Sequence, residues 1–575
     1  MKHQYFMLAI IFVTINIGQL FAQIDNGLPN NGLTHKISES EKLFMNNKGT
    51  NMLYTNPPVG PVRNIAEFEP SEAVIIAYKN GFGLPLSLIK DMSNTGKVII
   101  DATSSSQTNA LNLLNSNGVN TSNCSFITTA VDSWWTRDYT GWFIADSSYH
   151  VAIVDFTYNR PRPNDDAVTT LEANYLGITM YGMDIVHTGG NYMCDGYNGA
   201  VSTVLVEEEN PSLTTSQIEQ KMLDYLGINN YIIRPDAQGE YIEHIDCWAK
   251  TLAPDKILVD SVPATDAQYS QYEAAAAYFA STNCAYGYPY KVYRPLISGS
   301  SETNAEPYSN SFIFNNKVYV PMGGYSAVHD TAALECYRKA MPGYIVKGYI
   351  AFGGASWYGT DALHCRTHEI ADREMLYIEH FPLFGLINSP TGYDINAKVV
   401  SYADYNIATN YPMVIYKINQ GQWDSLTMAN ISYLNYKATI PTQNAGDTIF
   451  YYIKAKDVTG KLAYHALMGQ ADPYFFIASG TQVETPEIIA NSLMSFFTYP
   501  NPSKGDFILF LKSNYSGNAS IQIFNITGNI IYDENFGIVN GNSMKKINIE
   551  NLNQGVYFIE VKTKFDVFKK KLIID

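Results

Sequence analysis

The chain has 575 residues, enough for three to four units at roughly 150 residues per domain. Apolar residues make up 46%, aromatics 13% and charged residues 16%; against a usual charged share of about 25% this excludes a disordered tail or a coiled coil. With 38 Lys+Arg and 54 Asp+Glu the net charge is −16, which opposes nucleic acid or an anionic membrane surface as main partner and leaves cationic ligands open. In chain order, Lys2 and His3 give a basic start, residues 5–17 an almost wholly apolar run, and Leu20-Phe21-Ala22 a small-residue cleavage site. Residues 1–22 therefore read as a secretory signal peptide, too short to span a bilayer. No later stretch approaches 18 uninterrupted apolar residues, so no transmembrane segment is expected. Residues 23–56 are polar, lack periodicity and read as a flexible leader or pro-segment.

From residue 57 to 390 apolar strands alternate with helical segments, which implies an α/β architecture with functional groups on strand ends and loops. Strands are expected at 73–78, 97–101, 311–320 and 375–380, and a helix at 85–92. Four polar clusters punctuate the region. Trp134-Trp135-Thr136-Arg137-Asp138 sets an apolar wall beside a charge, which suits a flat cation; an Arg137/Asp138 salt bridge is the plain alternative. In Tyr158-Asn159-Arg160-Pro161-Arg162-Pro163 the prolines stiffen two arginines toward bidentate capture of a carboxylate, unless the loop is merely solvated. Tyr241-Ile242-Glu243-His244-Ile245-Asp246, read as extended, puts His244 and Asp246 on one face. That pair fits an acid/base dyad, half of a metal site, or a core histidine with its orienting carboxylate. Last, Gly353-Gly354-Ala355-Ser356 through Gly359-Thr360-Asp361-Ala362-Leu363-His364-Cys365 would present a lone thiol on a flexible loop mouth, although burial is the commoner fate of a cysteine. Metal readings are weak: His368-Glu369-Ile370-Ala371-Asp372 lacks a second histidine, and the six cysteines form no Cys-x-x-Cys pair.

Residues 391–479 alternate apolar runs with Gly and Asn turns and carry no ionisable cluster, as an immunoglobulin-like spacer would; 480–497 reads as a linker. Residues 498–575 carry short β-rich runs at a spacing that implies a small β-sandwich. Their punctuation, Tyr499-Pro500-Asn501-Pro502, Gly505-Asp506-Phe507, Asn525-Ile526-Thr527-Gly528 and the closing Lys569-Lys570-Lys571-Leu572-Ile573, resembles the C-terminal sorting domain of type IX secretion substrates. That resemblance implies contact with the type IX machinery, passage through the periplasm and outer membrane, and a secreted or cell-surface protein.

Trp135-Thr136-Arg137-Asp138, Gly189-Gly190-Asn191, His244-x-Asp246, Tyr308-Ser309-Asn310-Ser311 and Gly359 to Cys365 jointly resemble the motifs of the pentein-fold guanidino-modifying enzymes, above all the bacterial Porphyromonas-type peptidylarginine deiminases. The resemblance implies a pentein-type α/β propeller followed by two small all-β domains. It also implies hydrolysis of peptidyl, preferentially C-terminal, arginine to citrulline and ammonia. By the same resemblance Cys365 is the nucleophile of a thiouronium intermediate, His244 the acid/base, Asp138 and Asp246 the guanidinium holders, and Asn310 an orienting group. Trp135, Ile242 and Thr360 line the slot, Arg160 and Arg162 take the substrate carboxylate, and Tyr241 contacts its backbone. No cofactor is required, while a structural calcium or sodium ion stays open. The rivals are a secreted agmatine or free-arginine deiminase, a cysteine protease, which leaves Asp138, Asp246 and the two arginines without a role, and a non-catalytic surface adhesin.

Overall fold

The computed structural model describes residues 35, 37–45, 53–323, 326–351, 357–479, 494–499, 501–549, 552–564 and 567–575. The expected signal peptide, most of the expected linker and the run Gly353-Gly354-Ala355-Ser356 lie outside them. The described chain divides into two compact units, one holding the residues up to 276, 292–375 and 401–404, the other 277–291, 376–400 and 405–575.

The first unit is built from five small sheets, and one pattern recurs in them. A short strand pairs antiparallel with a longer one, which after a helical crossover pairs in parallel with a third. Thus Trp142–Ala145, Val151–Tyr158 and Met180–His187 follow one another across the helix Val168–Leu176. Met193–Cys194, Gly199–Thr203 and Asn230–Arg234 do so across Thr215–Leu226, a helix started by a Thr214/Gln217 capping box and stopped by Gly227 at φ +73°. Phe312–Phe314, Lys317–Met322 and Ile345–Ile350 repeat the pattern across Ala327–Ala340. Ala249–Ala253 pairs antiparallel with Lys256–Val259, with Lys291–Tyr293 as the third strand. In the remaining sheet the chain returns on itself: His368–Ala371 pairs antiparallel with Ser71–Ala77, whose parallel neighbour is Lys97–Ala102 across the helix Leu86–Thr95.

The burial follows from the residue pattern. Val74, Ile75 and Ile76 are all buried, as expected of a strand covered on both faces, and Leu88, Ile89 and Met92 form the buried stripe of the crossover helix. Burying one such aliphatic side chain stabilises the fold by roughly 1.5–3 kcal/mol. One expectation needs correction here: 311–320 is two strands rather than one, turned at Asn315, whose φ of +56° only a short polar side chain tolerates well.

In the second unit Tyr393–Ser401 and Asn435–Ile440 lie in one sheet, and Met413–Ile418, Thr448–Lys456 and Tyr474–Ser479 in another. Ile395, Val399, Val414, Ile440, Ile449, Ile453 and Phe476 form their shared core. The expected strand at 375–380 forms as Leu376–Glu379 and joins the first of these sheets. The C-terminal region is all β. Two long strands, Asp506–Asn525 and Ile530–Asn548, pair with each other through several register shifts. Alternate residues such as Leu509, Ile521, Ile523, Ile559 and Leu572 turn into one core. The expected sandwich is thus made of one continuous hydrogen-bonded sheet.

Candidate active site

The turn leading into the short antiparallel strand of each sheet in the first unit carries a residue of the predicted site. Thr136–Tyr139 precedes Trp142–Ala145 and holds Asp138; Gly189–Asn191 precedes Met193–Cys194 and holds Gly190. Ile245–Cys247, capped by His244, precedes Ala249–Ala253 and holds Asp246. Asn310 lies just ahead of Phe312–Phe314, and His364–Arg366, centred on Cys365, precedes His368–Ala371. Five positions far apart in sequence meet because they occupy one place in a repeated unit.

At Gly190 an added Cβ would lie 2.7 Å from Asp138 Oδ1, 2.7 Å from His244 Nδ1 and 3.3 Å from Asp246 Oδ2, so any side chain there would fill the space these groups share. Gly189 is equally confined, its Cβ falling 2.0 Å from the Arg137 carbonyl. Asn191 Oδ1 accepts from the Thr203 and Ile245 amides and ties this turn to the His244 turn.

The extended segment expected at 241–246 is not extended. Glu243 has φ +54° and the chain then enters a single 3₁₀ turn. A Glu in the left-handed region is a strained residue beside a functional group, and its carbonyl is held by Thr203 Oγ1 at 2.5 Å. His244 and Asp246 therefore converge through a tight turn rather than through strand alternation.

Cys365 likewise departs from expectation: instead of sitting at a flexible loop mouth it is fully buried in its turn. Asn310 Nδ2 donates to Cys365 Sγ at 3.2 Å, and Asn310 Oδ1 accepts from the amides of His364 and Cys365. Sγ stands 3.7 Å from Asp246 Oδ2. Burial first, then the negative charges of Asp246, Asp138 and Asp361, push this thiol well above its ordinary value. Burial pushes His244 down to about 4 against the pull of Asp138 and Asp246, so its ring is neutral near pH 7. Both His244 ring nitrogens lack a hydrogen-bond partner, and Nδ1 is 3.7 Å from Asp138 Oδ1.

Arg137 and Asp138 do not pair with each other. Arg137 donates to Glu369 Oε2 at 2.6 Å, away from the thiol, and belongs to a buried network that sequence reasoning missed. Its centre is Glu67, which takes Lys250 Nζ at 2.5 Å and His364 Nε2 at 2.8 Å. The other His364 nitrogen faces Asp246 Oδ2 at 2.7 Å. Burial would raise the Glu67 carboxyl, but Lys250, His364 and Arg137 hold it well below its ordinary range.

Asp138 has a partner that sequence reasoning also missed. The ring of His35, 3% exposed, stacks on Trp135 at 4.3 Å with a 22° interplanar angle. Its Nε2 lies 2.6 Å from Asp138 Oδ2 and its Nδ1 2.8 Å from the Thr360 carbonyl. Both partners are acceptors, so each nitrogen of the flat ring faces an acceptor oxygen. Burial alone would raise the Asp138 carboxyl; His35, His244 and Arg160 hold it far below its ordinary range instead. His35, Asp361 and Cys365 each bring one donor atom within 4.8 Å of the others, but the His35 nitrogens are engaged as described and Asp361 is held by a two-pronged pair with Arg366.

The two arginines of the expected carboxylate clamp are buried rather than solvated. Arg160 Nε donates to the His35 carbonyl at 3.4 Å, and Arg162 Nε to Glu41 Oε1 at 2.8 Å, with the Arg162 guanidinium 4.8 Å from the Trp135 ring centre. Tyr241 Oη lies 3.3 Å from both Thr360 Oγ1 and Glu302 Oε1, and Ile242 is buried two residues ahead of His244. The span expected to be a flexible leader thus contributes a buried histidine and, at Glu39–Lys42, a capped helical turn.

A family model described as Porphyromonas-type peptidyl-arginine deiminase matches residues 63–370, more than half of the chain. A second, described as a secretion system C-terminal sorting domain, matches 498–575 and marks the chain for export to the cell surface or beyond. Among curated proteins, one from Legionella pneumophila provisionally named agmatine deiminase is 25% identical over 268 residues, covering 43% of this chain and 75% of its own. The solved agmatine deiminase of Enterococcus faecalis shares 20% identity at a TM-score of 0.47, covering 56% of this chain and 100% of that one. Among the described residues no helix is long and apolar enough to cross a membrane.

Proposed function

Because the chain belongs to the Porphyromonas-type peptidyl-arginine deiminase family, and is thus a deiminase of the pentein superfamily, we propose that it converts the C-terminal arginine of peptides to citrulline and ammonia. The observation that carries this reading is the flat ring of His35 lying between Trp135, Asp138 and the Thr360 carbonyl, close to Cys365 Sγ, with an acceptor oxygen facing each of its nitrogens. A guanidinium shares that ring's flatness, and it is cationic and donates from every nitrogen.

The chemistry needs side chains and water only. The guanidinium enters between Asp138 and Asp246, whose charge-assisted hydrogen bonds fix its plane. Its positive charge offsets the carboxylates that hold the Cys365 proton on, and that proton passes to the unpartnered His244 ring. The thiolate then bonds to the central guanidinium carbon. His244 returns the proton to one amino group, which leaves as ammonia while the carbon–nitrogen bond breaks and a cationic thiouronium remains. Water attacks that carbon, His244 takes its proton, and the carbon–sulfur bond breaks to free citrulline. Asn310 steadies the sulfur throughout.

Arg160 and Arg162 give the preference for a terminal carboxylate, since two buried guanidinium groups disfavour an amine in their place. An agmatine-like substrate would present no anion to them. The test is release of ammonia together with citrulline, or carbamoylputrescine in the case of agmatine, after removal of the residues ahead of Leu53, from peptides ending in Arg, the same peptides amidated, peptides with internal Arg, and agmatine. Free C-terminal Arg should be turned over fastest; equal turnover of the amidated peptides or preference for agmatine overturns the assignment. Within the exported chain, the two-sheet region at 391–479 serves in this reading as an immunoglobulin-like spacer ahead of the sorting domain.

A further inference from the structure

Each part of the proposed substrate has a counterpart in residues 35–45 of this same chain. The imidazole of His35 takes the cation's place against Asp138. Its backbone carbonyl receives Arg160 at 3.4 Å, and the carboxylate of Glu41 receives Arg162 at 2.8 Å. Glu41 is held in readiness: its Oε2 accepts from the Ser38 amide and hydroxyl at 2.8 and 2.9 Å, leaving Oε1 for the arginine. Cation, peptide and anion thus sit together where the reaction requires them.

We propose that His35 and residues 37–45 are a built-in ligand of the active site, an imidazole-and-carboxylate peptide that keeps the newly made deiminase latent until a protease separates it from the catalytic unit. The consequence for activity rests on the reaction proposed above; the occupancy does not.

Three physical points support this. First, the occupant cannot be turned over, because the imidazole's nitrogens are both ring members and none can depart as ammonia. Second, with the leader in place Cys365 and His244 are almost entirely buried, at 0% and 1% exposure, and the cation site is filled. Third, the hold is suited to release. A handful of polar contacts suffices while the leader is tethered, since a short tether supplies an effective concentration in the millimolar range, and cutting the chain abolishes that advantage. Nothing needs to be remodelled in the catalytic unit itself, because the leader's partners are the same groups that would receive substrate.

The test uses the full exported chain with a site-specific protease sequence introduced between Met45 and Leu53. Alkylation of Cys365 by iodoacetamide, mapped by mass spectrometry, and citrulline release are measured before and after the cut. Both should rise by about tenfold or more, in proportion to the open fraction. His35→Ala and Glu41→Ala should raise both in the uncut chain, and a synthetic peptide of residues 31–45 should suppress both in the cut chain. Equal alkylation of Cys365 before and after cutting overturns the proposal, whatever the activity. If Cys365 opens only on cutting yet neither form makes citrulline, the occupancy stands and the reaction assignment falls.

Discussion

Asp138 and Asp246 both flank Cys365, yet they are held in opposite ways. Asp246 meets His364, which leans on Glu67, which takes Lys250; Asp246, His364 and Lys250 are buried, Glu67 keeps 12% exposure, and all belong to the first compact unit. Asp138 meets His35, which arrives on a segment ahead of that unit. One carboxylate is fixed by a permanent ion network and the other is partnered by something replaceable. A site that must bind a cation reversibly gains from this division: the permanent side keeps geometry, and the replaceable side allows one cation to exchange for another.

Substitutions can break that contrast. Asp246→Asn removes a substrate contact and also leaves His364 facing a neutral group, so kcat/KM for a C-terminal arginine peptide should fall by about 10³-fold or more. Asp138→Asn, which keeps its surroundings, should cost about 10²-fold. Similar losses would erase the distinction. On stability the contrast should be as clear. Lys250→Met leaves Glu67, only 12% exposed, without its main cation and should destabilise the chain by about 3–5 kcal/mol in urea unfolding, whereas Asp138→Asn should shift the midpoint far less.

Smaller effects sharpen the picture. Arg160→Ala or Arg162→Ala alone should weaken peptides with a free C-terminal arginine by about 10–100-fold, the lost charged hydrogen bond being worth roughly 1.5–3 kcal/mol, and leave amidated peptides unchanged; steady-state kinetics on the two sets decides it. The fourth concerns pH. His244 titrates at about 4 in the folded chain against an ordinary 6.5, so between these values the unfolded chain binds the extra proton. The stability contributed by a neutral His244 is therefore full above 6.5 and drains away as pH falls toward about 4. Wild type should lose about 2 kcal/mol more than His244→Gln between pH 7 and pH 5, read as the difference in unfolding free energies.

Much of the candidate site was legible in the sequence because its lead-in turns are short and chemically dense. Gly189-Gly190-Asn191, His244-x-Asp246 and Asp361 to Cys365 each pack reactive or close-approach residues into a few positions. What stayed hidden was long-range or conformational. Glu67, Lys250 and His364 are single charged or polar residues joined over separations of 183 and 297 positions, with no local period to reveal them. The left-handed backbone of Glu243 could not be anticipated either, because glutamate carries no preference for it and the Thr203 contact to its carbonyl comes from 40 residues away. The hairpin at Asn315 did leave a trace, the pair Asn315-Asn316 between two apolar runs. His35 left none: a histidine in a polar, aperiodic stretch acquires meaning only when the fold supplies the acid beside it.

The return of His368–Ala371 to Ser71–Ala77 also sets the order in which the catalyst comes into being. The turn bearing Cys365 is anchored by a strand whose partner was made some three hundred residues earlier, a pairing of long sequence separation that forms slowly. During synthesis an incomplete chain holds carboxylates and arginines but no assembled thiol centre. In the proposed reaction Cys365 is the last member to take its place, so a fragment ending before residue 365 would lack its nucleophile.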